Sequence, residues 1–283
     1  MEITPEPIET PATQRLVERH SAAVRLTHWI NVVSLTFLLA SGLQIFNAHP
    51  RLYLGKYGAD NDAAVLEIAS TRTGDTIRGT LRVGGLSAPT TGFLGASKED
   101  DAVVARAFPA WLTLPSYHDL GAGRRWHFTF AWLLLINGLA YMVYGFWKGH
   151  FRRDMVPGRD QLTRRHLWHE LREHARLRFP KGEEARRYNL LQKLTYLGVV
   201  FVLLPTMIAT GLAMSPGVDA AFPLLLDLLG GRATARTLHF VAAFSIVAFA
   251  VVHVAMVFAS GPWNNLRSMI TGRYAIQSDG GVN

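Results

Sequence analysis

The chain has 283 residues, of which 49% are hydrophobic and 18% are charged, and its mean hydropathy is positive at +0.14. This composition is too apolar for an ordinary soluble domain of this length and indicates a membrane protein. The net charge of +8 would also suit a nucleic-acid-binding protein, but the basic residues follow the ends of apolar runs and form no separate domain. The absence of cysteine excludes c-type haem, cysteine-bound iron–sulfur clusters and disulfides.

Four apolar runs are long enough to cross a bilayer, at 28–46, 127–147, 194–214 and 238–260. They predict an all-α membrane protein, a bundle of four transmembrane helices. No small-residue cleavage site follows the first run, so we interpret it as a retained anchor. Near the ends of the runs, sixteen Lys and Arg residues lie on one side and six on the other. The positive-inside rule therefore places both termini and the 148–193 loop in the cytoplasm.

A long insert separates the first two runs. Residues 47–126 are expected to lie in the periplasm, outside the membrane. Alternating apolar residues at 65–68 and 77–83, joined through a turn at 72–75, predict a small β-hairpin. Because two strands alone are only marginally stable, the hairpin is expected to lie against the membrane domain or a partner.

The cytoplasmic segments are rich in basic residues. Residues 1–27 are predicted to form a tail that ends in an amphipathic helix over 15–27. A second amphipathic helix is predicted over 160–178, inside the basic 148–193 loop. The remaining segments are a periplasmic loop at 215–237 and a cytoplasmic tail at 261–283.

Four histidines lie within the apolar runs. His239 and His253 are fourteen positions apart, so on one helix their rings share nearly one face and are separated by about 21 Å along the axis. That distance covers most of a bilayer core of about 30 Å. His127 starts the second run at the outer depth, and His28 starts the first run at the inner depth. Depth therefore pairs His127 with His239 and His28 with His253.

Two imidazoles at each depth favour haem over other metals. Coordination by two histidines leaves haem iron without an open site, which suits electron transfer. Zinc needs three or four protein ligands, and a proton relay or transporter would be expected to carry Asp or Glu, which the runs lack. We therefore predict two haem groups, one near each membrane surface. The alternative is that the histidines only pack the helices together.

Arginines and a glycine near these histidines each have two interpretations. The arginines either bind haem propionates or carry charge at the membrane interface: Arg25, Arg124, Arg125 and Arg236. Gly42, fourteen residues after His28, either lets a flat macrocycle approach the backbone or, with Ser41, packs two helices closely. The run 194–214 has no histidine, and we do not expect it to supply a ligand.

Motifs in all four runs resemble a known family. They are Arg25–Trp29, Ser41-Gly42, Gly123–Phe128, Tyr188-Asn189 with Gln192-Lys193, and Arg236–Phe240 with His253. They are similar to the membrane cytochrome b subunits of bacterial respiratory oxidoreductases: the formate dehydrogenase gamma subunit, the nickel–iron hydrogenase cytochrome b and the thiosulfate reductase cytochrome b. The resemblance implies that the four histidines ligate two haem b groups.

The resemblance also implies a quinone site at the cytoplasmic haem, near His253. Its polar contacts would be Asn189, Gln192 and Lys193, although these residues could equally cap the third helix. The family passes electrons between the quinone pool and a periplasmic catalytic subunit. We therefore expect a quinone-reactive electron-transfer subunit of the respiratory chain, in the bacterial inner membrane.

The insert suggests which partner is served. It departs from the compact formate dehydrogenase pattern, and its Asn47–Pro50 and Thr90–Gly95 motifs resemble cytochromes b associated with periplasmic molybdenum oxidoreductases. The resemblance thus implies a partner that contains a molybdenum cofactor. The alternatives are a stand-alone di-haem cytochrome b that acts on quinol or superoxide, and a non-redox anchor or transporter.

Overall fold

The secondary structure is mainly helical, with small sheets between and beside the helices. The structure, a computed structural model, describes residues 14–58, 62–158, 161–176 and 189–277. Its α-helices are α1 (Ala22–Asn47), α2 (Leu120–Trp147), α3 (Arg164–Ala175), α4 (Leu190–Gly198), α5 (Leu204–Ala213), α6 (Pro216–Ala221), α7 (Pro223–Leu228), α8 (Arg232–Ala259) and α9 (Pro262–Thr271). The strands are β1 (Gln14–Glu18), β2 (Arg51–Leu52), β3 (Leu66–Thr73), β4 (Thr76–Val83), β5 (Leu86–Pro89), β6 (Gly95–Glu99), β7 (Ala102–Arg106) and β8 (Arg273–Gln277).

Four helical stretches are long and apolar enough to cross a membrane: α1, α2, α8 and the stretch Leu190–Ala213 that contains α4 and α5. Each begins several residues before the apolar run that predicted it, because the polar first turns continue the helix. On α2, the side chains of Trp132, Ile136 and Leu139 are each more than half exposed. Their spacing of four and three residues makes one apolar stripe, which suits contact with lipid.

The third stretch is not a regular α-helix. Residues Val199–Leu203 form a π-helical turn between α4 and α5, and Pro205 lies in the first turn of α5. Proline has no N–H to donate to the preceding turn, which favours a local change in the hydrogen-bond pattern. The chain tolerates this change inside a membrane helix because neighbouring groups can satisfy the freed carbonyls.

The chain divides into two compact units. One unit, called here the terminal unit, comprises Met1–Thr27, Tyr141–Gly198 and Ala250–Asn283. The other, called the central unit, comprises His28–Ala140 and Val199–Phe249. The central unit therefore contains the insert and three of the four histidines discussed above, and the terminal unit contains His253.

In the terminal unit, strands from both ends of the chain pair with each other. β1 and β8 are antiparallel, with Val17 opposite Tyr274, and the side chains of Val17 and Ile276 are buried. The amphipathic helix predicted over 15–27 is wrong for its first part, because β1 occupies Gln14–Glu18 and α1 begins at Ala22. The partner strand lies more than 250 residues away in sequence, so local periodicity could not reveal it. The rest of the predicted tails, residues 1–13 and 278–283, lies outside the described residues.

The basic loop contains one helix in its described part. α3 lies within the predicted amphipathic helix 160–178, and Leu167, Trp168 and Leu171 on it are exposed apolar residues. Such a helix suits a membrane surface. Residues 177–188, which carry several of the loop's basic side chains, lie outside the described residues.

In the central unit, the insert is larger than the predicted hairpin. β3 and β4 form that hairpin, with Gly74 at φ +58 in the first position of a two-residue loop, where positive φ favours glycine. The sheet gains β2 and β5 at its edges, and β6 and β7 form a second antiparallel pair. The added strands are only two to five residues long. Strands so short carry too little alternation to be recognised from sequence.

The insert packs on the end of α1 through one apolar cluster. Leu43 and Phe46 of α1 are buried together with Leu52, Ile68 and Phe108 of the insert. Burial of each such side chain contributes about 1.5–3 kcal/mol. The cluster therefore fixes the insert to the membrane domain without needing a partner chain.

A buried arginine adds polar anchors beside this cluster. The guanidinium of Arg106 donates hydrogen bonds to Oε1 of Gln44 at 2.8 Å, to Oγ1 of Thr113 at 2.6 Å and to the carbonyl of Ser116 at 2.5 Å. Burial lowers the pKa of Arg106. Asn47 accepts a 2.7 Å bond from the backbone N–H of Phe108. These bonds hold residues 106–116 against α1.

Candidate functional site

The histidines of the predicted outer pair face each other in the central unit. The ring centroids of His127 on α2 and His239 on α8 are 6.2 Å apart, with their planes inclined by 59°. A metal–imidazole bond is about 2 Å long, so one metal ion between two imidazoles separates their centroids by roughly 6 Å. The observed separation fits one metal ion that both imidazoles would bind.

Each of these histidines contacts a hydroxyl group on another helix. Nδ1 of His127 lies 3.2 Å from Oγ of Ser41 on α1, and Nδ1 of His239 lies 2.9 Å from Oγ1 of Thr210 on α5. Both hydroxyl residues are completely buried. Four helical elements therefore build this site, and the third membrane stretch takes part in it although it has no histidine.

A glycine follows each hydroxyl residue and lets the helix backbone lie close to the facing ring. A Cβ atom on Gly42 would stand 3.4 Å from Cε1 of His127, and a Cβ atom on Gly211 would stand 3.4 Å from Cε1 of His239. Any side chain larger than alanine would press on the imidazoles. Two facing imidazoles with a glycine beside each ring fit a flat haem group.

The described residues offer no competing metal cluster. No group of three or more His, Cys, Asp or Glu side chains in the described ranges could hold a metal ion. Zinc sites use three or four such ligands. A pair of histidines is compatible with a group such as haem, which brings its own four nitrogen ligands.

The histidines of the predicted inner pair belong to different units. His28 is the first residue of the central unit, and its ring meets Trp29 edge-on at a centroid distance of 5.3 Å. His253 lies on α8 within the terminal unit. Their pairing around a second haem stays a prediction.

The four arginines that were predicted to bind haem propionates lie in different surroundings. Arg25 donates to the carbonyl of Ile270 and lines a cavity of about 270 Å³ in the terminal unit. Arg236 donates to the carbonyl of His49, and its guanidinium lies 5.5 Å from the ring centroid of Phe46. Arg124 and Arg125 are exposed in the first turns of α2. In the structure, Arg236 thus ties α8 to the insert.

Two of the three predicted quinone contacts cap a helix. Oδ1 of Asn189 accepts a 2.9 Å bond from the N–H of Gln192, and Oε1 of Gln192 accepts a 3.3 Å bond from the N–H of Asn189. This reciprocal pair is a capping box at the start of α4. The ammonium of Lys193 donates to Gln161 at 3.2 Å. A structural role for Asn189 and Gln192 is therefore present, and a quinone contact is a further hypothesis.

Sequence reasoning missed two polar features of the central unit. Thr210-Gly211 repeats the order of Ser41-Gly42, hydroxyl then glycine, and this repetition was a usable signal. The amide of Asn137 on α2 donates a 2.7 Å bond to Asn31 on α1, inside the bundle. Two asparagines in apolar runs are a less specific signal of function, because hydrogen-bonded polar pairs commonly join membrane helices.

Four apolar helices and a pair of histidines that face each other between them define a haem-binding membrane protein. The prokaryotic cytochrome b561 family matches residues 19–272, and the chain belongs to this family. The predicted cytochrome b family is thereby confirmed, and the chain is a multi-pass membrane electron-transfer subunit that binds haem b.

One curated relative is similar over most of its length. YedZ1 of Azospira oryzae, named as a protein-methionine-sulfoxide reductase subunit, is 26% identical over 238 residues, which cover 84% of this chain and 89% of YedZ1. No solved structure matches the chain.

Proposed function

We propose that the chain is a di-haem b subunit that carries electrons across the bacterial inner membrane, between the quinone pool and a periplasmic oxidoreductase. The observation that supports this most directly is the facing of His127 and His239 at 6.2 Å. These two residues would hold the outer haem, and His28 and His253 would hold the inner one. Bound haem supplies an iron that gains and loses one electron at a time.

The protein's own residues position and isolate these groups. His239 and His253 lie fourteen residues apart on α8, which gives one helix a ligand at each depth. The helices are free of charged residues between the two depths, so their apolar side chains exclude water from the path. Arg124 and Arg125, exposed at the start of α2, are available to bind the outer propionates.

Membrane orientation rests on charge. The excess of Lys and Arg on the side of the termini and the 148–193 loop favours a cytoplasmic position for them. The insert 47–126 and the loop 215–237 then lie in the periplasm. In this orientation the His127–His239 site is the one nearer to a periplasmic partner.

The partner is proposed from the relative and from the insert. YedZ1 carries the name of a reductase subunit, which supports a multi-subunit oxidoreductase here too. The Asn47–Pro50 and Thr90–Gly95 resemblance favours a partner with a molybdenum cofactor. The insert is anchored on α1 by Arg106 and Asn47, so its sheets present a fixed surface for docking.

Quinone is proposed to react at the cytoplasmic end, near His253, with Asn189 as a polar contact and with Gln192 and Lys193 beside it.

The proposed function is tested by reduction of the haem by a quinol in membranes that contain the full chain, alone and with the periplasmic subunit that copurifies with it. We expect quinol to reduce the haem and the subunit to reoxidise it when its substrate is added. A chain that copurifies with no other subunit and oxidises quinol or superoxide by itself would favour the stand-alone alternative. Failure of every quinol to reduce the haem would contradict the quinone link.

A further inference from the structure

The two hydroxyl–glycine pairs are nearly identical in their local geometry. Oγ of Ser41 donates to the carbonyl of Phe37 at 2.6 Å and lies 3.3 Å from that of Leu38. Oγ1 of Thr210 donates to the carbonyl of Thr206 at 2.6 Å and lies 3.2 Å from that of Met207. The same arrangement thus occurs on two helices with unrelated neighbouring sequences.

The direction of each hydrogen bond follows from counting donors. A hydroxyl has one hydrogen, and in both residues the short bond to the carbonyl four positions earlier uses it. The oxygen then has only lone pairs to offer to the histidine. Nδ1 of His127 and Nδ1 of His239 must therefore carry the hydrogen and donate it.

This fixes the tautomer of both histidines. A neutral imidazole with its hydrogen on Nδ1 has its free lone pair on Nε2. Metal-binding histidines commonly donate their other ring N–H to an acceptor that fixes ring orientation and raises ligand basicity. Ser41 and Thr210 supply such an acceptor for the outer pair, beside the backbone carbonyls of Leu38 and Met207, which also bond His127 and His239.

A hydrogen bond from a hydroxyl to a carbonyl of its own helix does not by itself indicate a functional role. Thr36 on α1 and Ser245 on α8 also donate to carbonyls four residues earlier, each at 2.8 Å, but Thr36 is exposed and Ser245 is only partly buried. Ser41 and Thr210 differ because they are fully buried and each has an imidazole as its second partner. Burying a hydroxyl is costly unless it is hydrogen-bonded, and both of these are.

We infer that Ser41 and Thr210 are positioning residues for the outer haem, each acting through the histidine that it accepts a hydrogen bond from. This inference rests on the proposed ligation of that haem by His127 and His239. Together with the carbonyls of Leu38 and Met207, the hydroxyls hold the imidazoles as Nδ1–H tautomers. The hydroxyls add to this by fixing the rotation of the rings and increasing their electron donation to iron. Since electron donation stabilises the oxidised iron, the two hydroxyls lower the midpoint potential of the outer haem.

The test is a redox titration of the purified full chain, combined with electron paramagnetic resonance of the oxidised haem. The informative variants are Ser41→Ala and Thr210→Val, which remove the hydroxyls. We expect each variant to raise the midpoint potential of one haem and to shift its low-spin signal. The other haem should keep the potential and the signal of the wild-type chain. The double variant should show a larger shift than either single one.

Matched variants separate positioning from packing. Ser41→Thr and Thr210→Ser keep a hydroxyl and should restore the potential of the wild-type chain. Thr36→Val and Ser245→Ala remove hydroxyls that bond to carbonyls of their own helix, and these variants should change nothing. The carbonyls of Leu38 and Met207 stay in every variant, so the measurement reports the side-chain hydroxyl alone.

The outcomes distinguish this inference from the proposed function. If His127→Ala and His239→Ala each remove one haem but the hydroxyl variants leave both potentials and signals unchanged, the inference is wrong and the ligation stands. If His127→Ala keeps both haems, the proposed ligation itself fails. A potential that shifts equally in Ser41→Ala and Ser41→Thr would also overturn the inference, because packing alone would then explain it.

Discussion

Gly42 of α1 lies directly against His127 of α2, so that a Cβ atom on the glycine would stand 3.4 Å from Cε1 of the imidazole. Gly211 of α5 has the same relationship to His239, also at 3.4 Å. Both glycines are explained if a flat haem group binds between the two imidazoles. Ordinary helix packing would not require two glycines to face two histidines.

We therefore expect Gly42→Val to remove one haem per chain while the chain still inserts and folds. The valine methyl groups would press on the imidazole, which a Cβ atom alone would already meet at 3.4 Å, and would displace the ring from its place as a ligand. The measurement is haem per chain in the purified protein, by absorbance of the reduced form.

Gly138→Val is the matched control for this change. Gly138 lies in the middle of α2, and a Cβ atom there meets no atom within 4 Å. This variant should keep all of its haem. Equal loss of haem in both variants would mean that valine simply disturbs the bundle, and the glycine argument would fail.

Asn189 offers a test that separates a helix cap from a quinone contact. Serine caps a helix about as well as asparagine, whereas alanine costs about 1 kcal/mol. If Asn189 binds quinone, Asn189→Ser should keep the stability of the chain but raise the KM for quinol. If the residue is only a cap, Asn189→Ser should match the wild type in stability and in KM for quinol, and only Asn189→Ala should lose stability. The measurements are thermal unfolding in detergent and quinol-driven haem reduction.

Arg106 is expected to hold the insert on the membrane domain. Arg106→Lys keeps the charge but loses the fork that reaches Gln44, Thr113 and Ser116, so buried acceptors lose their donor. We expect destabilisation of about 3 kcal/mol and faster proteolysis of the insert. Arg78→Lys on β4, where the side chain is exposed, is the control and should be neutral. Unchanged proteolysis of the Arg106 variant would contradict the anchoring role.

Glu67 makes the insert sensitive to acid. Burial raises the pKa of Glu67, but hydrogen bonds from Arg51 at 2.7 Å and Arg82 at 3.0 Å outweigh it and hold the pKa below its ordinary value of 4.5. Because the folded pKa is depressed, the carboxylate stabilises the insert above pH 4.5, and this contribution is lost as the pH falls through the folded pKa.

Glu67→Gln should therefore destabilise the insert at neutral pH by about 0.5–1 kcal/mol and leave it unchanged once the wild-type carboxyl is protonated. Unfolding of the insert, followed by proteolysis between pH 7 and the acid range, measures this difference. A variant whose deficit persists unchanged in acid would show that the lost ion pairs are not its cause.

Two kinds of feature could be predicted from the sequence: long apolar runs, and polar residues whose burial in lipid is energetically costly. Apolar runs identified the four long helices, and histidines in apolar surroundings identified His127 and His239, which face each other in the structure. Features that depend on distant partners could not be predicted in this way. The pairing of β1 with β8 joins the two ends of the chain, and Thr210-Gly211 gains its meaning only when α5 lies beside α8.

The insert shows the same limit. The hairpin of β3 and β4 was predicted with strands at 65–68 and 77–83, but its first strand continues to Thr73 and the turn is only residues 74–75. β2 and β5 have only two and four residues and were not predicted. The anchor at Arg106 depends on Gln44, 62 residues earlier. Arg236 was predicted as an interfacial or propionate arginine, and only the folded chain shows its bond to His49.

The central claim is that this chain holds two haems by two pairs of histidines at different depths. The most direct measurement is the absorbance spectrum of the purified protein, oxidised and reduced with dithionite, with haem quantified per chain. We expect two b-type haems per chain, and loss of half the haem in each of His127→Ala and His28→Ala. One haem per chain, or two haems that survive both substitutions, would contradict this claim.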